Sequence, residues 1–406
     1  MSSHNRRAFL TGALATGIAG AVASTAARTV PPAAADAGAP PVPGFHGPHQ
    51  AGVLDVPRRR TIVAAFDVLA DGKHELTELF RTLTDRARGL TTGGAPPQLG
   101  ITAPPADSGM LGPSLPAGAL TVTLGLGASL FDDRYGLAAR KPAGLTQMPV
   151  FPNDDLDQTW CHGDLSLQLE ADDDDTVLHA LRDIARHTRG VMQVRWRMNG
   201  FTSPPRPSGT QRNLMGFKDG IANPDTKDAS EMDRLVWVRD DKPDTAWTTG
   251  GSYVTFRLIR MLAEFWDRVG LSEQEQIFGR TRDAGAPLDG RREEDVPRYE
   301  LDPVGKVIPV TSHIRLANPR TPATDASRIL RRSFNYDRGV DEVGNLDVGL
   351  LFTCYQQDLH RQFEAVQKRL EDEPLVDYIT PFGGGYFFVP PGVRDTSSFY
   401  VNNMLI

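Results

Sequence analysis

Thr61-Ile-Val-Ala-Ala-Phe-Asp-Val-Leu69 is an almost continuous apolar run, rich in residues that favour β-strands. The segment that follows, residues 74–89, repeats apolar side chains at the spacing of one helical face, at Leu76, Leu79, Phe80 and Leu83. These two patterns differ in period, so they predict different elements. The first folded unit is therefore predicted to open with a strand followed by a helix.

The rest of the first half continues this mixture. Residues 120–126 and 164–170 alternate in hydrophobicity at the period of two that is typical of strands. Residues 175–187 have a helical pattern, and residues 191–197 are predicted to form another strand. Strands separated by helices in a mixed order indicate an α+β fold, with a sheet covered by helices on one face.

A similar order of elements recurs in the second half. The strand-like segments are 252–260 and 349–356, and the helical segments are 261–268 and 359–370. The pairing of residues 61–83 with residues 349–370 resembles an internal duplication. Between the halves, residues 202–209 are rich in proline and form the best linker candidate. We therefore predict an N-terminal domain over residues 45–208 and a C-terminal domain over residues 209–406.

The composition is that of an ordinary globular protein, with 406 residues of which 40% are hydrophobic and 23% charged. The formal net charge is -7 and the sequence pI about 5.8, which leaves no basic field for a phosphate backbone. We therefore predict no nucleic-acid partner. The two cysteines, Cys161 and Cys354, are too few for an iron–sulfur cluster and too far apart for a CxxCH motif. Cys354 is expected to be buried, and a disulfide between the two stays open.

The N-terminus has the features of an export signal. Asn5-Arg6-Arg7-Ala8-Phe9-Leu10 is a twin-arginine pattern, and a weakly apolar run over residues 11–27 ends in small residues suited to cleavage. An anchor helix is the alternative, but the run is short and interrupted by glycine, and no other stretch approaches the ~20 apolar residues of a membrane span. Residues 1–44 are therefore predicted to be a Tat signal and a flexible leader, and the exported protein is expected to be periplasmic or extracellular.

Three segments of the second half carry residues suited to chemistry. Asp219 lies in a glycine-bracketed loop, residues 213–224, where the backbone can approach a flat ligand closely, although an Asp-Gly pair is often only a turn. His313 is the single histidine of residues 310–320, and a lone histidine is more often a surface or packed residue than a ligand. Residues 328–338 are dense in arginine, for which an exposed basic helix end is the alternative.

Taken together, the three segments suggest one site. A histidine to ligate iron, an aspartate to move a proton and arginines to meet propionates and a developing anion are what a haem peroxidase requires. The sequence closely resembles the dye-decolorising peroxidase family, especially its exported branch, from about residue 45 to the C-terminus. The resemblance is carried by separated motifs in the family's order, namely Gly47-Pro-His-Gln-Ala-Gly52, Cys161-His-Gly-Asp164, Gly216-Phe-Lys-Asp-Gly220, His313-Ile-Arg315 with Asn318-Pro-Arg320, Arg331, and Gly383-Gly-Gly-Tyr-Phe-Phe388.

This resemblance implies two ferredoxin-like domains of the dimeric α+β barrel type, each an antiparallel sheet with peripheral helices. It also implies one noncovalent haem b in the second domain. Carried over residue by residue, His313 would be the proximal iron ligand, Asp219 the distal acid/base and Arg331 the distal arginine. The residues expected to line the haem are Gly220, Ile221, Ala222, Asn318, Pro319 and Arg320.

Three assignments are less determined by the resemblance. Arg332 adjoins Arg331, and only the family spacing assigns the role of distal arginine to Arg331. The other arginine is expected to point away from the pocket. Asp302 is our candidate for the carboxylate that accepts the second imidazole N–H of His313 and raises its basicity as a ligand. Arg315 is expected either to contact a propionate or to face solvent.

The implied activity is a peroxidase that reduces hydrogen peroxide and oxidises an organic reductant such as a dye or phenolic. Large dyes cannot enter a pocket sized for peroxide, so electrons are expected to pass through Tyr386, Trp237 or Tyr336, unless these residues only pack in the core. One alternative is a deferrochelatase-like protein that releases iron from haem, with partners in an iron-uptake system. Another is a haem-free binding module. The sequence leaves the oligomeric state open, and a homo-oligomer is one alternative.

Overall fold

The computed structural model describes residues 44–118, 120–239 and 245–405. The predicted export signal and all but the last residue of the predicted leader lie outside these residues. The described residues form one compact unit. No helix in the described part of the chain is both long and apolar enough to cross a membrane.

The strands of the described residues form one antiparallel sheet. They are β1 (Arg60–Val68), β2 (Leu120–Gly127), β3 (Leu165–Ala171), β4 (Met192–Phe201), β5 (Ser252–Met261), β6 (Leu330–Arg331), β7 (Phe334–Val340), β8 (Leu346–Gln356) and β9 (Ile379–Val389). The order across the sheet is β5-β9-β2-β3-β1-β4-β7-β8-β6, and β5 also pairs with β8. This last pairing closes the sheet into a ring, so the strands of both halves form a single barrel.

Helices pack against the barrel. They are α1 (Lys73–Thr92), α2 (Asp174–His187), α3 (Ala229–Leu235), α4 (Ala263–Trp266), α5 (Leu271–Phe278), α6 (His313–Ala317), α7 (Pro322–Asp325), α8 (Ala365–Arg369) and α9 (Asn402–Leu405). A π-helical segment, Leu359–Glu364, leads into α8. The predicted α+β class, with an antiparallel sheet and peripheral helices, is confirmed.

Alternation along β1 separates two apolar cores. Ile62, Ala64 and Phe66 belong to an outer core with the buried faces of α1 and α2. Val63 and Ala65 point the other way and pack with side chains of β4, β5, β7, β8 and β9. Because these strands lie around the ring, the second core fills the barrel interior.

Part of the barrel interior is polar. The Glu170 carboxylate accepts hydrogen bonds from Arg332 Nη2 at 3.1 and 2.8 Å, and both side chains are buried. Gln168 Nε2 donates to Glu170 Oε1 at 2.8 Å, and Tyr355 Oη donates to Gln168 Oε1 at 2.9 Å. This network joins β3 of the first half to β8 and the β6–β7 junction of the second.

Most predicted elements are confirmed, but the structure also differs from the predictions. The predicted helix over residues 261–268 is only the single turn α4, because β5 continues to Met261. The sequence patterns did not predict β7 or β9. Cys161 and Cys354 are both buried and unpaired, so the disulfide that the sequence left open is not formed.

Candidate functional site

A cavity of about 220 Å³ lies on the outer face of β5 and β8, beneath α6 and α8. Eight of the predicted site residues line it, namely Asp219, Gly220, Ile221, Ala222, His313, Asn318, Arg320 and Arg331. Three separated segments of sequence therefore meet at one place, whereas Arg315 and Pro319 are not among the lining residues.

His313 is the first residue of the short helix α6. Its neighbours fix the orientation of the ring and place a negative charge beside it. Nδ1 donates to Glu373 Oε2 at 2.7 Å, and the Phe278 ring packs edge-on at 6.0 Å. Because Nδ1 is bonded to Glu373, Nε2 is the ring nitrogen left for a ligand in the cavity. Burial lowers the pKa of His313, but the charge and hydrogen bond of Glu373 outweigh it and leave the pKa raised.

The prediction that Asp302 supports His313 is wrong. The Asp302 carboxylate accepts backbone N–H groups of Lys306, Val307 and Ile308 at 2.7 to 3.0 Å. These bonds, that from Ile308 foremost, lower the pKa of Asp302 and fix it in a local turn. The nearby carboxylate is Glu373, which lies sixty residues beyond His313 and is 3% exposed.

Asp219 lies on a hairpin whose arms are joined by a bridge between Arg212 and Lys218. Its backbone N–H donates to Gln211 O at 3.0 Å, and Gly220 adopts a φ of 106°, which a residue with a Cβ rarely adopts. The turn after Lys218 therefore brings the Asp219 carboxylate to the cavity wall. There Arg331 Nη1 donates to Asp219 Oδ1 at 3.0 Å.

The two adjacent arginines point in opposite directions. Arg331 pairs with Asp219 in the cavity, and Arg332 pairs with Glu170 inside the barrel. Successive side chains of an extended chain alternate between its faces, so one residue of this pair is inward and the other outward. Asn223 fixes the backbone of Arg331, accepting its N–H at 3.1 Å and donating to its carbonyl at 2.7 Å.

Arg315 contacts residues of the segment that precedes α6. Its guanidinium donates to Ile308 O at 2.9 Å, lies 3.8 Å from Asp302 and stacks over the Tyr299 ring at 5.0 Å. It therefore braces the segment before α6 from outside the cavity. The side chain is only 13% exposed and does not face solvent, whereas a contact between Arg315 and a haem propionate stays a prediction.

One edge of the cavity carries positive charge without a carboxylate partner. Within the described residues, no acidic side chain forms an ion pair with Arg280 or Arg320, both of which line the cavity. Burial lowers the pKa of Arg280 to about 10, with the charges of Arg320 and Arg331 acting in the same direction. Burial raises the pKa of the Tyr299 hydroxyl beside them to about 12, against the opposing charges of Arg320 and Arg280. This edge is suited to a ligand carboxylate.

Two family models match the chain in tandem. The N-terminal model of Dyp-type peroxidase covers residues 50–202, and the C-terminal model covers residues 210–394. The chain belongs to the Dyp-type peroxidase family. Proteins named Deferrochelatase from Escherichia coli (strain K12) and Shigella boydii serotype 4 (strain Sb227) are each 51% identical over 366 residues, spanning 89% of this chain and 86% of theirs.

Solved structures of Dyp-type peroxidases have the same fold. One from Cellulomonas bogoriensis is 37% identical with a TM-score of 0.79, covering 90% of this chain and 98% of its own. Ferric DtpA from Streptomyces lividans is 36% identical with a TM-score of 0.80, covering 89% and 96%. These comparisons confirm the predicted ferredoxin-like fold, the haem cofactor and the class of haem-dependent peroxidase.

The sequence did not reveal several residues of this Dyp-type peroxidase site, namely Glu373, Arg280, Tyr299 and Asn223. Glu373 lies in the run Glu371-Asp-Glu-Pro374, which resembles an exposed acidic turn, and no local pattern connects it with His313. Asn223 precedes Pro224, a signal that indicated only a turn. Arg280 and Tyr299 belong to a long segment without periodicity between α5 and α6.

Proposed function

We propose that this Dyp-type peroxidase reduces hydrogen peroxide in the cavity and oxidises organic substrates such as dyes and phenolics. In this proposal His313 is the iron ligand, Asp219 the proton acceptor and donor, and Arg331 the charge-stabilising group. The observation that carries the proposal is the meeting of the His313 ring and the Asp219–Arg331 pair at one cavity.

The cavity residues fit a haem b. Ile259, Leu350 and Phe352 offer apolar surface to a porphyrin ring. Arg280, Arg320 and the Tyr299 hydroxyl lie where carboxylates are needed to balance buried charge. His313 Nε2 is the imidazole nitrogen available to an iron, and the Glu373 hydrogen bond at Nδ1 orients the ring. Gly220, Ile221, Ala222, Asn318 and Pro319 stay predicted haem neighbours, and of these Pro319 is not in the cavity lining.

A bound haem would supply the iron at which peroxide is reduced, and it would hold the two oxidising equivalents that peroxide delivers until the organic substrate is oxidised. Asp219 Oδ1 is engaged by Arg331, so Oδ2 is the oxygen left to accept a proton from one peroxide oxygen and return it to the other. The Arg331 guanidinium stabilises the negative charge that grows as the O–O bond breaks. The hydrogen bond between the two side chains keeps proton transfer and charge stabilisation at one point.

Replacement of the proton acceptor tests this proposal. In Asp219→Asn, we expect the rate of reaction with hydrogen peroxide to fall by roughly 10²- to 10⁴-fold, the range typical of general acid–base catalysis. Haem content should be unchanged, because Asp219 is not the iron ligand. Stopped-flow spectra of the Soret band measure the rate, and Asp302→Asn is the matched control. An unchanged rate in Asp219→Asn would refute its assigned role.

The three aromatic residues predicted to carry electrons to the surface are all buried. Trp237, Tyr336 and Tyr386 are each at most 6% exposed. A bulky reductant therefore cannot dock directly on any of them, although each remains a candidate relay between the surface and the cavity. Radical trapping in Trp237→Phe, Tyr336→Phe and Tyr386→Phe, compared one at a time, would show which side chain is oxidised.

Release of iron from haem is a second candidate function, favoured by the 51% identity to proteins named Deferrochelatase. In that role the exported chain would serve an iron-uptake system. The test is to incubate the ferric haem-loaded protein without peroxide and to measure porphyrin fluorescence and chelatable iron. Appearance of both at equal amounts supports iron release, whereas an intact Soret band and no free iron exclude it under these conditions.

We also propose that the chain is exported by the Tat pathway. The support is the Arg6-Arg7 pair with the cleavable run behind it. Expression of the full chain in a bacterium should give a secreted or periplasmic protein that lacks the first residues by mass spectrometry. The double variant Arg6→Lys, Arg7→Lys should stay in the cytoplasm. An uncleaved, cytoplasmic wild type would contradict the proposal.

A further inference from the structure

Lys218 and Glu293 form a buried ion pair directly beside the proposed proton acceptor. Lys218 Nζ contacts Glu293 Oε2, and the two side chains are only 5% and 10% exposed. Lys218 immediately precedes Asp219, whereas Glu293 comes from the segment between α5 and α6. The pair therefore connects the hairpin that carries Asp219 to a different part of the cavity rim.

Glu293 holds both arms of that hairpin. While one carboxylate oxygen meets Lys218, the other accepts hydrogen bonds from Thr210 N at 2.9 Å and Thr210 Oγ1 at 3.1 Å. Thr210 and Lys218 lie on opposite arms, and Lys218 Nζ donates also to Ser208 O at 2.9 Å. One carboxylate thus fixes the separation of the arms just before the turn at Asp219.

Two glycines leave space for the pair. Gly285 has a φ of 73°, and a Cβ there would lie 2.7 Å from Lys218 Cδ. Gly209 has a φ of 75°, and a Cβ there would lie 2.7 Å from the Glu293 carboxylate carbon. Real Cβ atoms do not approach other atoms this closely, so a larger residue at either position would push the pair apart.

Stability alone is a weak reason to bury such a pair. Removing two charges from water costs free energy that their attraction often only balances, and an apolar pair of similar size is frequently as stable. Burial raises the pKa of Glu293, but the hydrogen bonds from Lys218 and Thr210 outweigh it and leave the pKa lowered, so the carboxylate stays ionised. What the pair provides, and an apolar contact would not, is directional attachment of both hairpin arms.

We propose that Lys218 and Glu293 are positioning residues that hold the Asp219 carboxylate beside Arg331. This inference rests on the proposed function of Asp219. Arg331 is fixed separately by strand β6, where Leu330 and Arg331 pair with Tyr355 and Cys354 of β8. Loss of the Lys218–Glu293 pair would therefore shift one partner of the Asp219–Arg331 hydrogen bond and leave the other in place.

The test uses Lys218→Met, Glu293→Gln and the double variant in the full haem-loaded chain. Hydrogen cyanide loses its proton when it binds ferric haem, so its association rate reports on the distal proton acceptor without turnover. We expect each single variant to lower both this rate and kcat/KM for hydrogen peroxide by roughly 10- to 100-fold, as for a small misplacement of a reacting group. Haem content should not change, and the double variant should be no slower than either single variant because the residues act as a unit.

A second ion pair provides the matched control. Arg86 donates to Asp183 at 2.7 and 2.9 Å between α1 and α2, in the first half of the chain. Arg86→Met should lower the unfolding midpoint but leave cyanide association unchanged. The conservative variant Lys218→Arg, which keeps the charge, should recover most of the association rate lost in Lys218→Met.

The outcomes separate the inference from the function on which it rests. If Lys218→Met and Glu293→Gln lower only the unfolding midpoint and bind cyanide at the wild-type rate, the pair is merely structural and the inference is overturned. If Asp219→Asn itself binds cyanide and reacts with peroxide at the wild-type rate, the proposed function of Asp219 fails first. If Lys218→Met loses haem, the isosteric Glu293→Gln decides by the same readouts.

Discussion

At the scale of single residues, Arg331 and Arg332 separate function from stability. Arg332 is 4% exposed and pairs with Glu170 inside the barrel, whereas Arg331 lines the cavity and pairs with Asp219. Removing one partner of a buried ion pair leaves the other uncompensated, which costs about 3–5 kcal/mol. We therefore expect Arg332→Leu to lower the free energy of unfolding by this amount in urea titrations.

The matched change in the cavity, Arg331→Leu, should affect the reaction with peroxide and not the stability. Arg331→Leu should leave the urea midpoint close to that of the wild type, because this side chain is part of an open cavity. It should slow the reaction with hydrogen peroxide, because the charge that grows on the leaving oxygen loses its stabilising cation. A stable Arg332→Leu protein beside an unfolded Arg331→Leu protein would reverse the assignment of the two arginines.

Glu373 supports the ligand role of His313 in a way that can be measured. Glu373→Gln keeps the size of the side chain but removes the negative charge that accepts the hydrogen bond from His313 Nδ1, with 2.7 Å between Nδ1 and Oε2. Loss of such an outer partner typically costs about 10- to 100-fold in affinity or activity. We expect weaker haem binding in a titration of the haem-free protein, with no change in Asp302→Asn. Equal effects of both variants would restore Asp302 as a candidate.

The residue scale also shows what the sequence could and could not predict. The sequence singles out Asp219, His313 and Arg331 because each lies in a short motif that resembles one of the Dyp-type peroxidase family, whereas the local signals alone also fit a turn, a packed histidine and a basic helix end. Glu373 is not, because its contact with His313 is created by the fold and leaves no trace in the sequence around either residue. The error over Asp302 arose from proximity in sequence, which the backbone of residues 302–308 uses for a turn instead.

At the scale of elements, the site depends on a very short strand. β6 has only two residues, Leu330 and Arg331, which pair with Tyr355 and Cys354 of β8. Its other edge is completed by the Asn223 side chain, which bonds both backbone groups of Arg331. The loop that carries Asp219 and the strand that carries Arg331 are thus joined by one amide.

Asn223→Ala tests that connection. The change leaves two partly buried backbone groups without partners, and each such group costs about 1–3 kcal/mol when water cannot replace the bond. We expect a lower urea midpoint together with a slower peroxide reaction, because Arg331 loses its tether to the loop. Leu214→Ala, at an exposed position of the same loop, is the control and should change neither quantity. A slower Leu214→Ala would show that the loop responds to any substitution.

Strand β9 shows why a hydrophobicity pattern does not predict every element. Its central residues Gly383, Gly384 and Gly385 weaken any strand prediction, since glycine favours turns and lacks a side chain to alternate. The structure requires glycine at Gly384, where φ is 123° and a Cβ would meet the backbone of Phe256. The close approach of two backbones in the folded barrel therefore requires glycine, and glycine removes the alternating pattern that would predict a strand. In contrast, β1 and α1 are not constrained in this way, and their hydrophobicity patterns predict both elements.

At the scale of the whole molecule, the ring closes across two narrow seams. β4 meets β7 through one residue pair, Phe201 with Asn335, and β2 meets β9 through two pairs at Leu126 and Gly127. The predicted domain boundary at residues 208 and 209 lies between the halves that these seams join, and it stays a prediction. Side chains must complete the seams, and the Glu170–Arg332 network does so inside the barrel.

Gln50 completes the seam between β2 and β9 from outside the ladder. Its Nε2 donates to Leu124 O at 3.0 Å and Pro390 O at 2.9 Å, and its Oε1 accepts Leu124 N at 2.8 Å. Gln50→Leu fills the same space but leaves these three buried backbone groups unpaired, at about 1–3 kcal/mol each. We expect a single cooperative urea transition in the wild type and two separate transitions in Gln50→Leu, with unfolding followed by tryptophan fluorescence and circular dichroism.

His74→Leu, an exposed change on α1, is the control. One coincident transition of unchanged midpoint in Gln50→Leu would show that the barrel interior alone holds the two halves together.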